Sequence, residues 1–503
     1  MSLPFSDAGN AVFPPPGALI DVRRPRDEAT LREALGRAHD AATPVTVAAG
    51  LTGLAGAAVP GDSGLLVDMT AFDTLSDRSG FRRAAPFLLI SEEDPFFGLV
   101  APGVPLAALK VALEGLNLWY PPHPGELRAT LGGNVAANAS GPRTFSFGAT
   151  REYVESLRVI LADGDVLDLR RGCERVSAGH FSVATECGRV IEGRVPVYKL
   201  PAIKNAAGLF AAPEMDLLDL FIGSEGILGT FSEIGLRFLP RRAFRLETLV
   251  FGTEAEALAC ADALRPLRAD RKRYPDPAGD GIVSLEFFDG ASLRLARAAG
   301  VPASALDSSA GAALGVETFA DDAETRARIL QVADALHCRG LLPDAESDAI
   351  RYAVPRRVAE LLKERGRPKF GTDFAVPVDR FAEMYAFYEE MEVEFGRGES
   401  PHAVRAAKWG HIGDCHLHCN FLCESDADEA LARSIYLRLA RKAVSLGGTV
   451  SAEHGVGKKK LADESGTVRP YLWYLLGDAY REIAETKRAF DPKGILNRGN
   501  MGV

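Results

Sequence analysis

Apolar positions change their period several times along the first half of the chain. In DEATLREALGRAHD (27–40) they recur at helical spacing behind acidic residues, which predicts an amphipathic helix. The following TPVTVAA is short, uncharged and β-branched, and predicts a buried strand running into the loop 50–56. Helical spacing returns in VPLAALKVALEGL (104–116). VESLRVIL (154–161) reads as a strand, and Asp163-Gly164 predicts a hairpin into VLDL.

Up to about residue 240 strands, helices and glycine-rich turns alternate. A polar, proline-containing run, RADRKRYPDPAGDG, lies between 262 and 281 and reads as a surface loop. Helical patterns then dominate over 321–338, 355–366 and 380–397. A strand-like block at 403–422 precedes a helix at 427–446, stopped by Gly447-Gly448, and a last helix at about 471–490. No internal repeat or low-complexity segment stands out.

With 503 residues the chain is long enough for roughly two to four domains. A net charge of −10 without a basic stripe excludes the usual nucleic-acid binder. Cys173, Cys187, Cys260, Cys338, Cys415, Cys419 and Cys423 form no CxxC pair, which argues against a disulfide framework and a ferredoxin-type cluster. Cys415, Cys419 and Cys423, spaced by four, read as small apolar packing rather than a metal trio. The first twenty residues lack a basic start and an apolar core, so no signal peptide is expected. Residues 41–61 carry no charge, but prolines and glycines break them, so no transmembrane segment is expected and the cytoplasm is the expected location.

Three segments concentrate glycine and small polar residues: AGLTGLAG (49–56), TLGGNVAANASGPRTFSFGATRE (130–152) and KNAAGLFAAPEMDLLDLFIGSEGILGT (204–230). Such loops expose backbone N–H groups that cradle phosphates. The first has glycines at i, i+3 and i+6, which is not the Rossmann fingerprint. The C-terminal half carries two further segments. KWGHIGDCHLHCNFL (408–422) holds His411, His416 and His418. On a strand His416, His418 and Asn420 share a face, and Gly413-Asp414 supplies a turn that brings His411 back. SAEHGVGKKK (451–460) adds Glu453 and His454. Imidazole and carboxylate donors together suit a divalent metal with open positions.

The order of the glycine-rich segments resembles the vanillyl-alcohol oxidase type of FAD-binding fold. The histidine segments resemble the C-terminal domain of the D-lactate, glycolate and D-2-hydroxyglutarate dehydrogenase group. The resemblance implies an α+β chain: a two-subdomain FAD-binding domain of PCMH type (1–240), a substrate or cap domain with a metal site (241–480), and a returning segment (481–503). It puts the FAD pyrophosphate on Gly50, Leu51, Thr52, Gly53 and Leu54. The rest of FAD falls on Thr130, Gly132, Gly133, Asn134, Asn138, Gly141, Gly148, Glu225, Gly226 and Gly229, with Asn497 of AFDPKGILNRGNM near the flavin. His411, His418 and Glu453 become metal ligands, with zinc the expected ion, and His454 the catalytic base. Arg351, in AIRYAVPRRVAELLKERGRPKFGTDFAVPVDRF, becomes the anchor for the substrate carboxylate, with Arg356 and Arg357 as alternatives and Lys369 assisting.

The chain departs from the family pattern in places. Ala49 and Leu51 stand where the first loop usually has glycine, the family's PPDP reads Pro121-Pro122-His123-Pro124, and Cys415-His416 replace Gly-Asn. His416 is thereby a candidate contact for substrate or metal. No histidine lies in the first loop, so non-covalent FAD is expected, with His123 leaving a covalent link open. The implied activity is oxidation of a D-2-hydroxy acid. Its electron acceptor would be an electron-transfer flavoprotein, a cytochrome, a quinone or oxygen, and a homodimer is left open as the assembly. Two other classes stay open: a transferase like alkyl-dihydroxyacetone-phosphate synthase, and a non-catalytic flavin subunit of a glycolate oxidase-like complex. A zinc hydrolase without flavin leaves the glycine-rich half unexplained.

Overall fold

The computed structural model describes residues 17–270, 279–301, 306, 309–396, 404–464 and 467–503. The stretch read for a signal peptide falls largely outside these, as do 271–278 of the expected surface loop. The chain divides into two compact units. The first comprises 1–139, 149–241 and 453–503, the second 140–148 and 242–452.

In the first unit three parallel strands pair in the order Ile20–Arg23, Gly64–Asp68, Val45–Ala48. The helix Glu28–Asp40 starts where Asp27 accepts the Thr30 N–H at 2.8 Å. It buries Leu31, Leu35 and Ala38 against Val45, Val67, Ile495 and Leu496. A six-stranded antiparallel sheet follows, in the order Phe81–Ala85, Leu88–Ser91, Phe97–Val100, Thr230–Arg237, Val154–Ile160, Val166–Arg170. Its last pair is the hairpin expected at Asp163-Gly164, with Gly164 at φ 83°.

The second unit is built on an eight-stranded antiparallel sheet. Its order is Gly340–Leu342, Phe244–Phe251, Ala312–Phe319, Ile282–Asp289, Ala406–His411, His416–Phe421, Phe370–Gly371, with Phe374–Ala375 also paired to His416–Phe421. Helices Gly290–Ala298 and Asp344–Arg365 bury Leu293, Ile350 and Val354 in a core with Phe288 and Trp409. No helix among the described residues is long and apolar enough to cross a membrane.

Several bounds differ from the sequence expectations. The helix expected from 355 begins at Asp344 and runs through Pro355, whose side chain is exposed. Proline there removes one backbone bond, toward the carbonyl of Arg351, and the helix tolerates it. The expected last helix is three pieces, Tyr471–Leu476, Gly477–Arg481 and Glu482–Phe490, because Gly477 takes φ 59°. The chain rejoins the first unit at 453 rather than 481, and the short stretch 140–148 goes with the second unit. That stretch is held there by Ser146 Oγ donating to Ile282 O at 2.7 Å and by a two-bond Arg143–Glu317 pair.

Candidate active site and cofactor-binding segments

In the first unit the strand Val45–Ala48 feeds directly into the loop of Gly50, Leu51, Thr52, Gly53 and Leu54. Leu51 sits at φ 52°, a left-handed conformation that costs a non-glycine residue about 1 kcal/mol. This is one of the two positions where the family pattern has glycine. Thr130 precedes the short helix Leu131–Ala137, which contains Gly132, Gly133 and Asn134, and Asn138 closes it at φ 47°. The Thr130 hydroxyl and the Asn134 amide nitrogen are buried without a hydrogen-bond partner among the described residues. Orphaned buried polar atoms are costly, so a polar ligand beside this helix accounts for both. They therefore fit a bound cofactor. Gly141 and Gly148 lie in the stretch that belongs to the second unit. His123 meets the Lys110 ammonium.

Glu225 and Asn497 prove to be structural hubs. The buried Glu225 carboxylate accepts the Val456 N–H at 2.6 Å and the Gly457 N–H at 2.9 Å. Burial pushes its pKa up, and the two backbone bonds oppose that. Its own carbonyl accepts from the side chains of Asn497 at 2.8 Å and Asn500 at 2.9 Å. Asn497 Oδ1 in turn accepts the Val47 N–H at 2.7 Å. Gly226 at φ 74° lets Asn497 approach, since a Cβ there would stand 2.5 Å from its Nδ2; Gly229 lies three residues further along. The side chains of Glu225 and Asn497 thus hold the glycine-rich segments together.

The EHGVGKK turn docks onto the same scaffold. Ala55 O accepts the N–H groups of Lys458 at 3.0 Å and Lys459 at 3.1 Å. Gly457 has φ 53°, and a Cβ there would lie 2.1 Å from Ala55 O, so only glycine fits. Lys458 Nζ donates to Asn500 Oδ1 at 2.7 Å and Ala57 O at 3.2 Å, and burial pushes its pKa down to about 8. His454 is therefore carried by a turn bonded to both the first and the third glycine-rich segments. Its Nε2 lies 3.5 Å from Glu453 Oε1. The other Glu453 oxygen accepts from Lys204 Nζ at 2.7 Å, and the Lys204 side chain is only 3% exposed. Sequence reasoning missed Lys204; the only signal was a single lysine at the head of the third segment.

In the second unit the strands Ala406–His411 and His416–Phe421 form a hairpin that pairs His411 with His416 and Trp409 with His418. The turn Ile412–Asp414 ends in Cys415 at φ 51°. Ring nitrogens of His411, His416 and His418 come within 4.8 Å of one another. His418 Nδ1 lies 2.9 Å from Thr372 O, and His411 Nδ1 lies 3.8 Å from Glu286 Oε1. The Thr372 carbonyl behind His418 is the kind of partner that orients a metal-binding histidine. The donor set fits a divalent cation. Asn420 shares this face; its Oδ1 is buried without a partner among the described residues. Cys419 and Cys423 are buried within the unit, and burial pushes their thiol pKa values up.

Arg351 is less free than the sequence suggests. Its side chain is 10% exposed, with Nε on Glu286 Oε2 at 2.5 Å. Its Nη1 stands 3.7 Å from Asp348 and 3.9 Å from Glu317, beyond hydrogen-bond reach. One edge of the guanidinium is thus fixed, and the other keeps donors. Arg356 is largely exposed, and Arg357 pairs with Glu360 and Glu364 along the helix. Lys369 Nζ lies 5.9 Å from the Trp409 ring centroid.

Residues 21–170 match the family described as FAD binding domain, and residues 276–501 match FAD linked oxidases, C-terminal domain. The chain is 26% identical to a D-lactate dehydrogenase of Archaeoglobus fulgidus, over 99% of this chain and 94% of that protein. It is 27% identical to the glycolate oxidase subunit GlcD of Bacillus subtilis, over 95% and 88%. It is 26% identical to a D-2-hydroxyglutarate dehydrogenase of Stutzerimonas stutzeri, over 90% and 84%. Among solved structures, an alkyldihydroxyacetonephosphate synthase superposes with a TM-score of 0.62 at 14% identity, covering 95% of this chain and 75% of that one. At that identity the likeness is one of fold.

Proposed function

Because this chain belongs to the FAD-linked oxidoreductases of the vanillyl-alcohol oxidase fold, we propose that it oxidises a small D-2-hydroxy acid to the 2-oxo acid. The observation that carries the reading is the turn 453–460, which presents His454 while bonded to Glu225 and Ala55 of two flavin segments. A base fixed to the flavin scaffold is what oxidation of a carbinol requires.

His454 takes the proton of the 2-hydroxyl on a ring nitrogen, with Glu453 close enough to steady the imidazolium that forms. Arg351 receives the substrate carboxylate on its Nη1 edge, Glu286 holding the opposite edge in place. Lys369 and Asn420 supply further polar contacts. His411, His418 and Glu453 hold a divalent cation, zinc being the ion best suited to these donors. When bound, FAD supplies the hydride acceptor and the cation the Lewis acidity that eases loss of the hydroxyl proton. The hydroxyl proton goes to His454 and both electrons leave with the C2 hydride, so continued turnover requires an electron acceptor of flavoprotein, cytochrome or quinone type.

The purified chain should form 2-oxo acid from D-lactate, glycolate or D-2-hydroxyglutarate with an artificial dye as acceptor. Flavin-loaded protein that forms none from the whole panel would overturn the reading.

A further inference from the structure

We propose that His416 is a third imidazole ligand of the metal site and that Asp373 is the residue positioning it. The proposal rests on the reading of His411 and His418 as ligands. It adds a donor where the family pattern has asparagine.

The hairpin makes the three rings converge. His416 and His418 are two apart on one strand and share a face, and the cross-strand partner of His416 is His411. Ring centroids lie 4.5 Å apart for His416–His418, 5.5 Å for His411–His416 and 5.7 Å for His411–His418. His416 is fully buried, and His418 is 9% exposed. Three imidazole rings brought this close, with His416 fully buried, crowd their nitrogens into one small volume. A shared cation accounts for that crowding.

Two of the rings, His416 and His418, have an oxygen at close range, and the carboxylate nearest His411 lies beyond hydrogen-bond reach. Glu286 Oε1 lies 3.8 Å from His411 Nδ1 and Thr372 O lies 2.9 Å from His418 Nδ1. Asp373 Oδ1 lies 3.1 Å from His416 Nε2, and the proposal assigns Nδ1 to the metal. A carboxylate or carbonyl on the far nitrogen is the usual companion of a metal-bound histidine. Asp373 is held in place to do this. Its Oδ2 accepts the Ser451 hydroxyl at 2.7 Å and its carbonyl accepts the Ala452 N–H at 2.8 Å. Next to it, Thr372 Oγ1 donates to Leu417 O at 3.1 Å and accepts the Cys419 N–H at 2.8 Å. Thr372 and Asp373 are thus pinned along the histidine strand, and one dipeptide orients two of the rings. A structural His416–Asp373 pair alone explains the 3.1 Å contact but not the convergence of His416 with the other two rings.

The test is X-ray absorption of the zinc-loaded full chain, with zinc affinity from chelator competition, on wild type, His416→Asn, His416→Gln and Asp373→Asn. Flavin content and melting temperature establish that each variant folds. Three imidazole scatterers are expected in wild type and two in the His416 variants, with affinity down about a hundredfold or more. Asp373→Asn should keep three imidazoles and lose about 10–100-fold in affinity. Two imidazoles in wild type, or unchanged affinity in all three variants, would overturn the role of His416 while leaving His411 and His418. No zinc bound by wild type would overturn the metal reading as a whole.

Discussion

The two units build their sites from different materials. In the first, the glycine-rich candidate segments are shaped by backbone: left-handed Leu51, Asn138 and Glu225, and Gly226 and Gly457 where no side chain fits. Side chains such as Glu225 and Asn497 serve to fasten those loops. In the second, the backbone is a regular hairpin, and what matters is which side chains its register turns to one face. A backbone-made site fails when a Cβ is added. A side-chain-made site fails when a donor atom is removed, with the fold left standing.

The largest effects come from removing a single side-chain donor, one in each unit. His454→Ala should keep its flavin and melt normally, while flavin reduction slows by about 10²–10⁴-fold, measured by stopped flow without acceptor. Reduction at the wild-type rate would remove His454 from the base role. His418→Ala should bind little zinc by elemental analysis and lose turnover by a comparable factor, with flavin retained. A metal-free but fully active variant would break the comparison at its chemical end.

The next effect tests the first mode. Gly457→Ala forces a Cβ to 2.1 Å from Ala55 O at a positive φ. It should destabilise the chain by about 2–3 kcal/mol and lower flavin content, read by thermal melting and flavin release. Wild-type stability would mean that the turn does not lock onto the first loop.

The smallest effect concerns a buried charge cluster in the second unit. Lys408 Nζ donates to Glu392 at 2.5 Å and lies near Asp289 at 3.9 Å and Glu254 at 3.5 Å, with Tyr385 and Cys419 beside them. Burial pushes the Glu392 carboxyl from 4.5 up to about 7, against the pull of Lys408. The folded state therefore holds a proton that the unfolded chain has released between those values. Stability should fall as pH rises through that window, by up to about 1.4 kcal/mol per pH unit. Glu392→Gln should flatten melting temperature against pH there; an unchanged slope would remove Glu392 as the source.

The contrast between the units also explains what could be read from the sequence. Glycine-rich loops announce themselves locally, because the residue that permits the turn sits in the turn. The histidine hairpin was legible for a related reason: His416 and His418 are two apart, and Gly413-Asp414 marks the reversal. The partners behind the rings were not legible. Asp373 comes from the link between Phe370–Gly371 and Phe374–Ala375, Glu286 from the strand Ile282–Asp289, and Lys204 meets Glu453 across 249 residues of sequence. The same limit applies to Arg351, whose partner Glu286 lies 65 residues away in sequence. The compact units differ from the expected domain bounds where long-range bonds decide them. The turn 453–460 reads as part of the histidine region by its chemistry, but Glu225 and Ala55 hold it in the first unit.

The central claim is net transfer of two electrons from a D-2-hydroxy acid to the bound flavin. An anaerobic visible spectrum of the purified chain, taken before and after adding D-lactate, glycolate and D-2-hydroxyglutarate in turn, tests it most directly. The oxidised-flavin band should bleach with at least one of the three acids and stay bleached until an acceptor is added. A band that persists through all three, in protein that a chemical reductant bleaches normally, would contradict it.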